Sequence, residues 1–557
     1  MNTKNSKVCV ALLALIIVLG SFVRFHGLSK LGLAFEEPIH IYAAKGIIEN
    51  GKPLLPSGRE YRRALLFTDT VALSFKLFGI NKFAARLPSV IFNIFSIILI
   101  YFAGSFFFDR KTGLVAALLM ALIPFEIVWA RTCRMYSMYQ FFYLCSVFSF
   151  YKGFEGKVTK EPYSVSEEKS VKASSASILS RLDIDWKWLL FFGIFFLIAL
   201  HLQKLALGLG LSIILYALAM TCIVLWEKGI KQAYKTKYFL LLLAVVIAGV
   251  IAIVSTDIFV RIKHAMAFAP PWTKGGTTSV FRYYMFMLSK EFVVVTVFSF
   301  IGAIQLLGRF SKPGFFLILV IIVPMSFHSF FSKVQQYRYV YDIFPFIFLI
   351  SGYGIGKFFQ AELRSFNNVL NERNITNRLI KAAGPITVFL VLCALSYPTI
   401  IVSKNLSILQ PKKFGGGYHV RWEQGCRYVR KHISSGDILI ASIPLAAEFE
   451  GCESIAYNLD NGEIDQFRKV QGHRFQIAAF SDTEAIVNFD EFMTVLSEHP
   501  EGWLLLDSQR FNSNTTIPYK ISEFISNNLT LKFTSSDKSL YVFRWDRAIL
   551  PKLHNSK

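Results

Sequence analysis

The chain has 557 residues, of which 54% are hydrophobic and only 17% are charged, and its mean hydropathy is +0.45. Soluble domains carry about 25% charged residues, so this composition excludes an ordinary soluble protein and indicates a membrane protein. The 60 Lys and Arg residues exceed the 37 Asp and Glu residues and leave a formal charge of +23. A chain this poor in charge must concentrate that surplus in particular segments.

Roughly eleven apolar runs are long enough to cross a bilayer, which takes about 20 mainly apolar residues. The first run, about 8–25, follows Lys4 and Lys7 and is followed at once by His26. It lacks a small-residue cleavage site, so we interpret it as a retained anchor and not as a signal peptide. The other runs lie near 84–108, 113–130, 137–153, 187–202, 205–226, 238–256, 284–308, 314–331, 339–358 and 382–402.

The charges of the connecting segments predict the orientation in the cell membrane. The basic connections all fall on the side of the N-terminus, at 106–113, 152–186, 227–237, 307–314 and 359–381. Because basic loops are retained in the cytoplasm, we expect the N-terminus to be cytoplasmic. An odd number of spans then places the C-terminal segment outside the cytoplasm.

Residues 403–557 differ in character from the rest of the chain. Strand-like runs such as 436–443 alternate there with amphipathic helical stretches such as 425–433, which is typical of a small α/β domain. We therefore predict a polytopic α-helical membrane protein with about 11 transmembrane helices in residues 1–402 and an extracytoplasmic α/β domain in residues 403–557. The role of that domain stays open between acceptor binding, support of a lid and a plain structural cover.

The seven cysteines show no paired CxxC spacing, so no zinc or redox motif is predicted. Cys426 and Cys452 lie in the predicted extracytoplasmic domain. Whether they form a disulfide stays open, because the separation of their Cα atoms does not follow from the sequence.

The first external loop, about residues 26–83, departs from the charge bias. Long loops cross the membrane whatever their charge, so the predicted topology stands. Two explanations stay open: the cations bind an anionic ligand, or they are attracted to lipid headgroups without a specific site. The cations in and beside the loop are Arg24, Lys30, Lys45, Lys52, Arg59, Arg62, Arg63, Lys76 and Lys82.

Two adjacent carboxylates, Glu36 and Glu37, lie in this basic loop and are followed by Pro38. Proline suits the first turn of a helix and acids suit its N-terminus, so one interpretation is that the pair only caps an interfacial helix through Tyr42 and Lys45. The other interpretation is a catalytic carboxylate.

Two further cationic clusters follow predicted spans on the external side. Arg131 and Arg134 come after the third span, three residues apart, and are expected on one helical face. Lys333, Arg338 and Tyr339 come after the ninth. Each cluster alone is explained by interfacial anchoring. Together with the acid pair and Arg63, however, they bring acids and cations to one predicted face of the membrane.

These segments resemble the GT-C superfamily of membrane glycosyltransferases, notably the bacterial cell-envelope branch related to protein mannosyltransferases, aminoarabinose transferases and lipopolysaccharide-core transferases. The resemblance covers about the first 360 residues in order and spacing. It rests on the acid pair after the first span, PSGREY, FGINKFAARLPSVIFNIFSIILIYFAGSFFFDRKTG, VWARTCRMYS and QYRYVYDIFPFIFLISGYGIG. It implies transfer of a sugar, with inversion, from a polyprenyl-phosphate donor to a lipid, glycan or protein acceptor on the extracytoplasmic face.

The resemblance also implies roles for individual residues. Glu36 or Glu37 occupies the position of the first-loop acidic pair, which activates the acceptor; the first member is Glu here where the family often has Asp. Arg131 and Arg134 fall in an Arg-containing segment after the third span. Arg338 with Tyr339 falls at a donor-phosphate contact, and Arg63 and Lys333 complete the predicted phosphate-binding set: Arg63, Arg131, Arg134, Lys333, Arg338 and Tyr339.

The residues support the same chemistry without the resemblance. Nucleotide sugars are not available outside the cytoplasm, so a transferase acting there needs a lipid-carried donor. In agreement with this, the chain has no Walker or GxGxxG loop before a helix. The GYGIG sequence at 352–356 lies within an apolar span and indicates close helix packing. Positioned cations stabilise the departing phosphate, and a carboxylate takes the acceptor proton. Membrane lipids and the lipid-linked donor are the expected partners, and nucleic acid is not.

No cofactor and no metal ligand are assigned, although a divalent cation stays open. Glu36, Glu37 and His40 could supply ligands, but no matching His or carboxylate cluster accompanies them, so His40 is expected to be a helix-surface residue.

The competing class is a transporter or flippase for an anionic lipid or glycolipid; a ligand sensor is a third. Transporters place ionisable groups at mid-membrane and carry repeats. Here the charges cluster at the predicted external boundary. Glu126 and Lys204 are the main exceptions, and each lies near a span end from which it could reach the interface.

Overall fold

A computed structural model describes residues 3–34, 36–156, 183–255, 277–331, 337–370, 419–459, 472–478, 480–513 and 516–546. By their contacts the residues form two compact units. The helical unit comprises Met1–Arg24, Val90–Ala130 and Tyr136–Ser403, and the α/β unit comprises Phe25–Ser89, Arg131–Met135 and Lys404–Lys557. The predicted first external loop thus groups with the C-terminal part of the chain.

Helices dominate the first 370 residues. In chain order these elements are α1 (Thr3–Phe25), β1 (Leu33–Ala34), α2 (Glu37–Asn50), α3 (Leu65–Phe78), α4 (Lys82–Phe107), α5 (Arg110–Leu122), α6 (Pro124–Ala130), α7 (Tyr136–Glu155), α8 (Trp186–Leu202), α9 (Leu207–Lys228), α10 (Ile230–Ala233), α11 (Lys237–Ser255), α12 (Thr277–Phe286), α13 (Val293–Gly308), α14 (Lys312–Phe331) and α15 (Phe344–Leu370). A 3-10 helix, Tyr337–Ile343, precedes α15.

A helix occupies each of the first ten predicted apolar runs, which makes the helical unit that of a multi-pass membrane protein. Among the described residues five helices are long and apolar enough to span a bilayer, and the number is up to seven if each of two bent helix pairs forms one span. The predicted run at 382–402 lies outside the described residues, so the count of eleven stays a prediction. The five helices are Lys7–Lys30, Lys82–Phe107, Lys204–Lys228, Lys312–Phe330 and Tyr337–Phe358.

The predicted run at 113–130 is broken into α5 and α6, which meet at an angle of 62°. Pro124 begins α6, and Ile123 before it has an extended backbone, with ψ of 127°. A proline disfavours helical geometry in the residue before it and lacks the N–H that would continue the helix, so the break follows from the sequence.

The GYGIG segment packs closely against a neighbouring helix, as predicted. A Cβ on Gly354 would lie 2.3 Å from the carbonyl oxygen of Phe298, and one on Gly302 would lie 2.3 Å from that of Ile350. Small residues on α13 and α15 therefore let the two backbones approach each other.

The C-terminal part of the α/β unit contains a seven-stranded sheet with the order β5-β6-β4-β3-β7-β9-β8. The four strands β6, β4, β3 and β7 are parallel, and β5, β9 and β8 add antiparallel pairs. The elements are β2 (His419–Val420), α16 (Trp422–His432), β3 (Ile438–Ala441), α17 (Pro444–Phe449), β4 (Ile455–Asn458), β5 (Gln476–Ile477), β6 (Glu484–Ala485), α18 (Phe489–Glu498), β7 (Gly502–Asp507), α19 (Ser508–Ser513), α20 (Tyr519–Asn528), β8 (Thr530–Thr534) and β9 (Leu540–Trp545).

Strand β7 lies inside the sheet, between β3 and β9, and its sequence is mainly hydrophobic. All six of its residues are buried, as expected for a central strand covered on both faces. Cys426 and Cys452 form a disulfide with a Cα separation of 5.2 Å, which resolves the pairing that the sequence left open.

Candidate active site

Glu37 is the first residue of α2 and is fully buried. Its carboxylate accepts hydrogen bonds from Nε and Nη2 of Arg86, at 2.8 Å and 2.7 Å, in a two-point ion pair. It also accepts from the backbone N–H groups of Ala34, at 2.8 Å, and Cys133, at 2.7 Å. The carboxylate is therefore surrounded by donors of the protein itself.

Arg86 is as deeply buried as its partner. Besides Glu37 it donates to the carbonyl oxygens of Leu28 and Gly32, at 2.8 Å and 2.6 Å. Burial alone would raise the pKa of Glu37, but the Arg86 charge and the hydrogen bonds outweigh it and lower the pKa from 4.5 to about 2. Glu37 is thus ionised at neutral pH, and its carboxylate is fully engaged by the ion pair and hydrogen bonds within the protein.

Glu36 lies in a different environment although it is the neighbouring residue. Its side chain is 28% exposed, and its Oε2 lies 2.9 Å from Nη2 of Arg134. Glu36 occupies the N-cap position of α2, but its side chain makes no capping hydrogen bond. The capping interpretation therefore accounts for where α2 begins and not for the direction of the Glu36 carboxylate.

The Arg131–Arg134 segment is a turn, and the expectation of one helical face is wrong. α6 ends at Ala130 and α7 begins at Tyr136, so the intervening residues carry no regular helix. Both arginines are buried, and Arg131 donates to the carbonyl oxygen of His26 at 2.7 Å. The turn directs Arg134 towards Glu36, a contact that a helical spacing argument could not reveal.

His40 is fully buried, so the expectation of a helix-surface residue is wrong. Its Nδ1 lies 3.0 Å from Oγ1 of Thr68, and its ring meets those of Tyr61 and Phe67 edge-on. Burial, followed by the charges of Arg134 and Arg63, lowers the pKa of His40 well below 6.5, so the ring is neutral at pH 7. Arg63 itself is exposed.

The described residues contain no group of three or more His, Cys, Asp or Glu side chains that could hold a metal ion. Glu36 and Glu37 are paired with arginines, and His40 faces a hydroxyl. Within this part of the chain these side chains therefore do not form a cluster of metal ligands.

Arg338 and Tyr339 belong to the helical unit, in the 3-10 helix before α15. The Arg338 guanidinium lies 5.5 Å from the ring centre of Tyr339 and 5.9 Å from that of Tyr136, which are cation–π distances. Tyr339 also stacks on His328, with ring centres 6.0 Å apart. Lys333, the remaining predicted phosphate ligand, lies outside the described residues.

A buried polar network in the helical unit was not predicted. Glu126, which lies near the end of a predicted span, is fully buried. It accepts hydrogen bonds from Asn93 at 3.0 Å, Gln140 at 3.0 Å and the Tyr341 hydroxyl at 2.7 Å. Arg24 donates to Asn93 at 2.6 Å and completes the network.

The network connects the 3-10 helix that carries Arg338 to four other helices, α1, α4, α6 and α7. Gln140 also donates to the carbonyl oxygen of Tyr341, at 2.9 Å, and the Tyr139 hydroxyl donates to Asp342 at 2.9 Å. The sequence feature that could have predicted this network is the presence of isolated Asn and Gln residues inside apolar runs, because a polar side chain within a span needs partners.

Comparisons with solved structures show which proteins have a similar fold. ArnT from Cupriavidus metallidurans in the apo state has a TM-score of 0.54 to this chain at 13% identity, covering 98% of this chain and 99% of ArnT. The same protein bound to undecaprenyl phosphate gives 0.53 at 12% identity, with 98% of both chains covered. The archaeal oligosaccharyltransferase AglB from Archaeoglobus fulgidus, in complex with an inhibitory peptide and a dolichol-phosphate, gives 0.52 at 11% identity, covering 99% of this chain and 72% of AglB.

The fold is therefore similar to those of ArnT and AglB, membrane glycosyltransferases of the GT-C superfamily, which agrees with the resemblance that the sequence indicated. Residues 63–163 match the family of dolichyl-phosphate-mannose-protein mannosyltransferases. No curated protein sequence matches the chain.

Proposed function

We propose that this protein is an inverting glycosyltransferase that moves a sugar from a polyprenyl-phosphate donor to an acceptor on the extracytoplasmic face of the membrane. The observation that carries the proposal is the unequal environment of the acid pair. Glu37 is sealed in an ion pair with Arg86, whereas Glu36 keeps a partly exposed carboxylate held by Arg134. Only Glu36 retains both an accessible oxygen and a fixed position.

The reaction needs one base and one electrostatic clamp. An oxygen of the acceptor hydroxyl attacks the anomeric carbon, the bond from that carbon to the donor phosphate breaks, and the polyprenyl phosphate leaves with the bonding electrons. The acceptor proton passes to Glu36 as the new bond forms. A single displacement of this kind inverts the configuration at the anomeric carbon.

Charge develops on the leaving phosphate, and cations placed beforehand stabilise it. Arg63, Arg131 and Arg338 are our candidates from the described residues, with Tyr339 as a hydroxyl donor. Arg134, which the sequence also assigns to the phosphate, is paired with Glu36. Two bound lipids in the compared structures, undecaprenyl phosphate and dolichol-phosphate, support a polyprenyl-phosphate donor here.

The disulfide supports an extracytoplasmic place for the C-terminal part. Cys426 and Cys452 are paired, and structural disulfides form and persist in oxidising compartments. Together with the basic segments on the N-terminal side, this favours a cytoplasmic N-terminus and an extracytoplasmic α/β unit.

Arg338→Ala is expected to raise the KM for the donor or to lower kcat by about tenfold or more, because one charge-assisted contact to phosphate is worth roughly 1.5–3 kcal/mol. Steady-state transfer in membranes with a radiolabelled polyprenyl-phosphate sugar measures this. Arg110→Ala, at the start of α5 on the predicted cytoplasmic side, is the matched control. An unchanged donor KM and kcat in Arg338→Ala would return Arg338 to an anchoring role.

Cells that lack the gene provide the broad test of the function. Mass spectrometry of their envelope glycans is expected to show a product short of one sugar, which returns when the wild-type gene is restored and not when the Glu36→Gln variant is supplied. Identical glycans in the deletion strain and the parent would contradict the proposal.

One observation favours the transporter or flippase alternative: Arg24 and Glu126 are ionisable groups buried within helices of the helical unit. Such groups often mark a transport path. A flippase would move a labelled anionic lipid across proteoliposomes in the absence of an acceptor, whereas the proposed transferase would form no product without one.

A further inference from the structure

The chain just before the acid pair is fixed by a segment of the C-terminal part, residues 419–452. Strand β2 of this segment pairs antiparallel with β1, with Leu33 opposite Val420. A Cβ on Gly32 would lie 2.3 Å from the carbonyl oxygen of Val420, so only glycine allows this approach. β1 ends two residues before Glu36, which therefore follows a backbone held by the supporting segment, as we name residues 419–452.

The supporting segment makes a second set of contacts through α17. Glu448 accepts a hydrogen bond from the hydroxyl of Tyr42, on α2, at 3.3 Å. Glu450, which follows α17, forms an ion pair of 2.6 Å with Lys82, the first residue of α4, and both side chains are largely buried. α17 thus contacts α2, and Glu450 directly after it contacts α4; these two helices supply the partners of the buried Glu37–Arg86 ion pair.

The disulfide joins the two sets of contacts. Cys426 lies on α16, which begins two residues after β2, and Cys452 lies three residues after α17 ends. A covalent link between these points holds β2 and α17 of the supporting segment in a fixed relative position.

We propose that the supporting segment is a positioning element for the acid pair. β2 fixes the chain on one side of Glu36, and α17 together with Glu450 fixes α2 and α4 on the other, so that the Glu36 carboxylate stays at Arg134. The inference rests on the proposed function, in which Glu36 is the base. A base displaced by about 1 Å loses on the order of a hundredfold in rate. An independent acceptor-binding domain or an inert cover would not link α17 to the turnover rate.

A charge-reversal cycle on Lys82 and Glu450 tests this. Lys82→Glu places two carboxylates together at α17, and kcat for transfer from a polyprenyl-phosphate sugar should fall about ten- to a hundredfold while the donor KM changes less than about twofold. Lys82→Glu combined with Glu450→Lys restores the pair and should recover kcat to within about threefold of the wild type. Glu453→Gln, at an exposed position of the same segment, is the matched control.

Hydrogen exchange provides a readout that does not depend on activity. Amides of residues 33–45 should exchange about tenfold faster in Lys82→Glu and return to the wild-type rate in the double variant. If Lys82→Glu fails to fold, the milder Tyr42→Phe variant, which removes one hydroxyl, replaces it in the measurement. The same amides should exchange faster in Tyr42→Phe than in the wild type.

The outcomes separate the two proposals. An active wild-type protein with unchanged kcat and exchange in both Lys82→Glu and Tyr42→Phe would overturn the positioning role and leave the proposed function intact. A wild-type protein that transfers no sugar would overturn the proposed function, while the exchange rates would still decide whether the supporting segment fixes the acid pair.

Discussion

Replacing Glu36 with Gln is expected to lower kcat by at least about a hundredfold, because a positioned general base contributes roughly 10²–10⁴ in rate. The protein should still fold: the Glu36 side chain is 28% exposed, and the amide oxygen of the introduced glutamine can still accept a hydrogen bond from the buried Arg134. Transfer from a radiolabelled polyprenyl-phosphate sugar, measured on purified protein of verified thermal stability, gives the answer.

Two variants frame this result. Glu36→Asp keeps the carboxylate but shortens its reach, so activity between that of the wild type and that of Glu36→Gln is expected. Glu49→Gln removes an exposed carboxylate at the other end of α2, whose partner is Lys45 at 3.7 Å, and should have no effect. Wild-type activity in Glu36→Gln would remove Glu36 from the chemistry.

Replacing Glu37 with Gln is expected to destabilise the protein and not simply to inactivate it. Breaking a buried ion pair by removing one charge costs about 3–5 kcal/mol, because the remaining guanidinium of Arg86 is left uncompensated. Thermal unfolding in detergent is measured by the amount of monodisperse protein that remains after heating. The unfolding midpoint of Glu37→Gln should be clearly lower than that of the wild type.

Control variants separate the charge from the packing. Replacing both partners with apolar residues, Glu37→Leu with Arg86→Met, removes both buried charges and should be less destabilising than Glu37→Gln alone. A midpoint of Glu37→Gln equal to that of the wild type would show that the ion pair does not hold this part of the fold.

The same ion pair gives a pH dependence with a defined sign. The folded-state pKa of Glu37 is lowered from 4.5 to about 2, so the stability it contributes is fully present above about pH 4.5 and is lost as the pH falls towards 2. The difference in unfolding midpoint between the wild type and Glu37→Leu should shrink over this window.

Much of the fold could be predicted from the sequence because membrane helices are set by local composition. Each of the first ten apolar runs became a helix, and the Gly354 contact followed from small residues within a span. The acid pair was found because carboxylates are unusual in a basic loop beside a membrane, and α2 begins at Glu37 as the Pro38 signal indicated.

The division of labour within the acid pair could not be predicted, since it depends on residues distant in the chain. Arg86 is 49 residues from Glu37, and Cys133 is 96 residues away. Arg131 and Arg134 satisfy a helical spacing, yet α6 ends before them, so the spacing misled. His40 was predicted on a helix surface, and the prediction was wrong because its burial against Thr68 and two aromatic rings arises only from tertiary contacts.

The role of the C-terminal part depended on tertiary contacts for the same reason. β1 and β2 are two-residue strands nearly 400 residues apart, and strands this short leave no pattern in a sequence. Tyr42 and Glu448 likewise become partners only after folding.

The central claim is tested most directly by following both halves of one donor. Purified protein in lipid nanodiscs is given a polyprenyl-phosphate sugar labelled in the sugar and in the phosphate, together with an envelope glycan extract as acceptor. We predict one polyprenyl phosphate released for each sugar transferred, an inverted anomeric configuration in the product, and neither event with Glu36→Gln. Retained configuration, transfer from a nucleotide sugar alone, or undiminished release and transfer by Glu36→Gln would contradict the account.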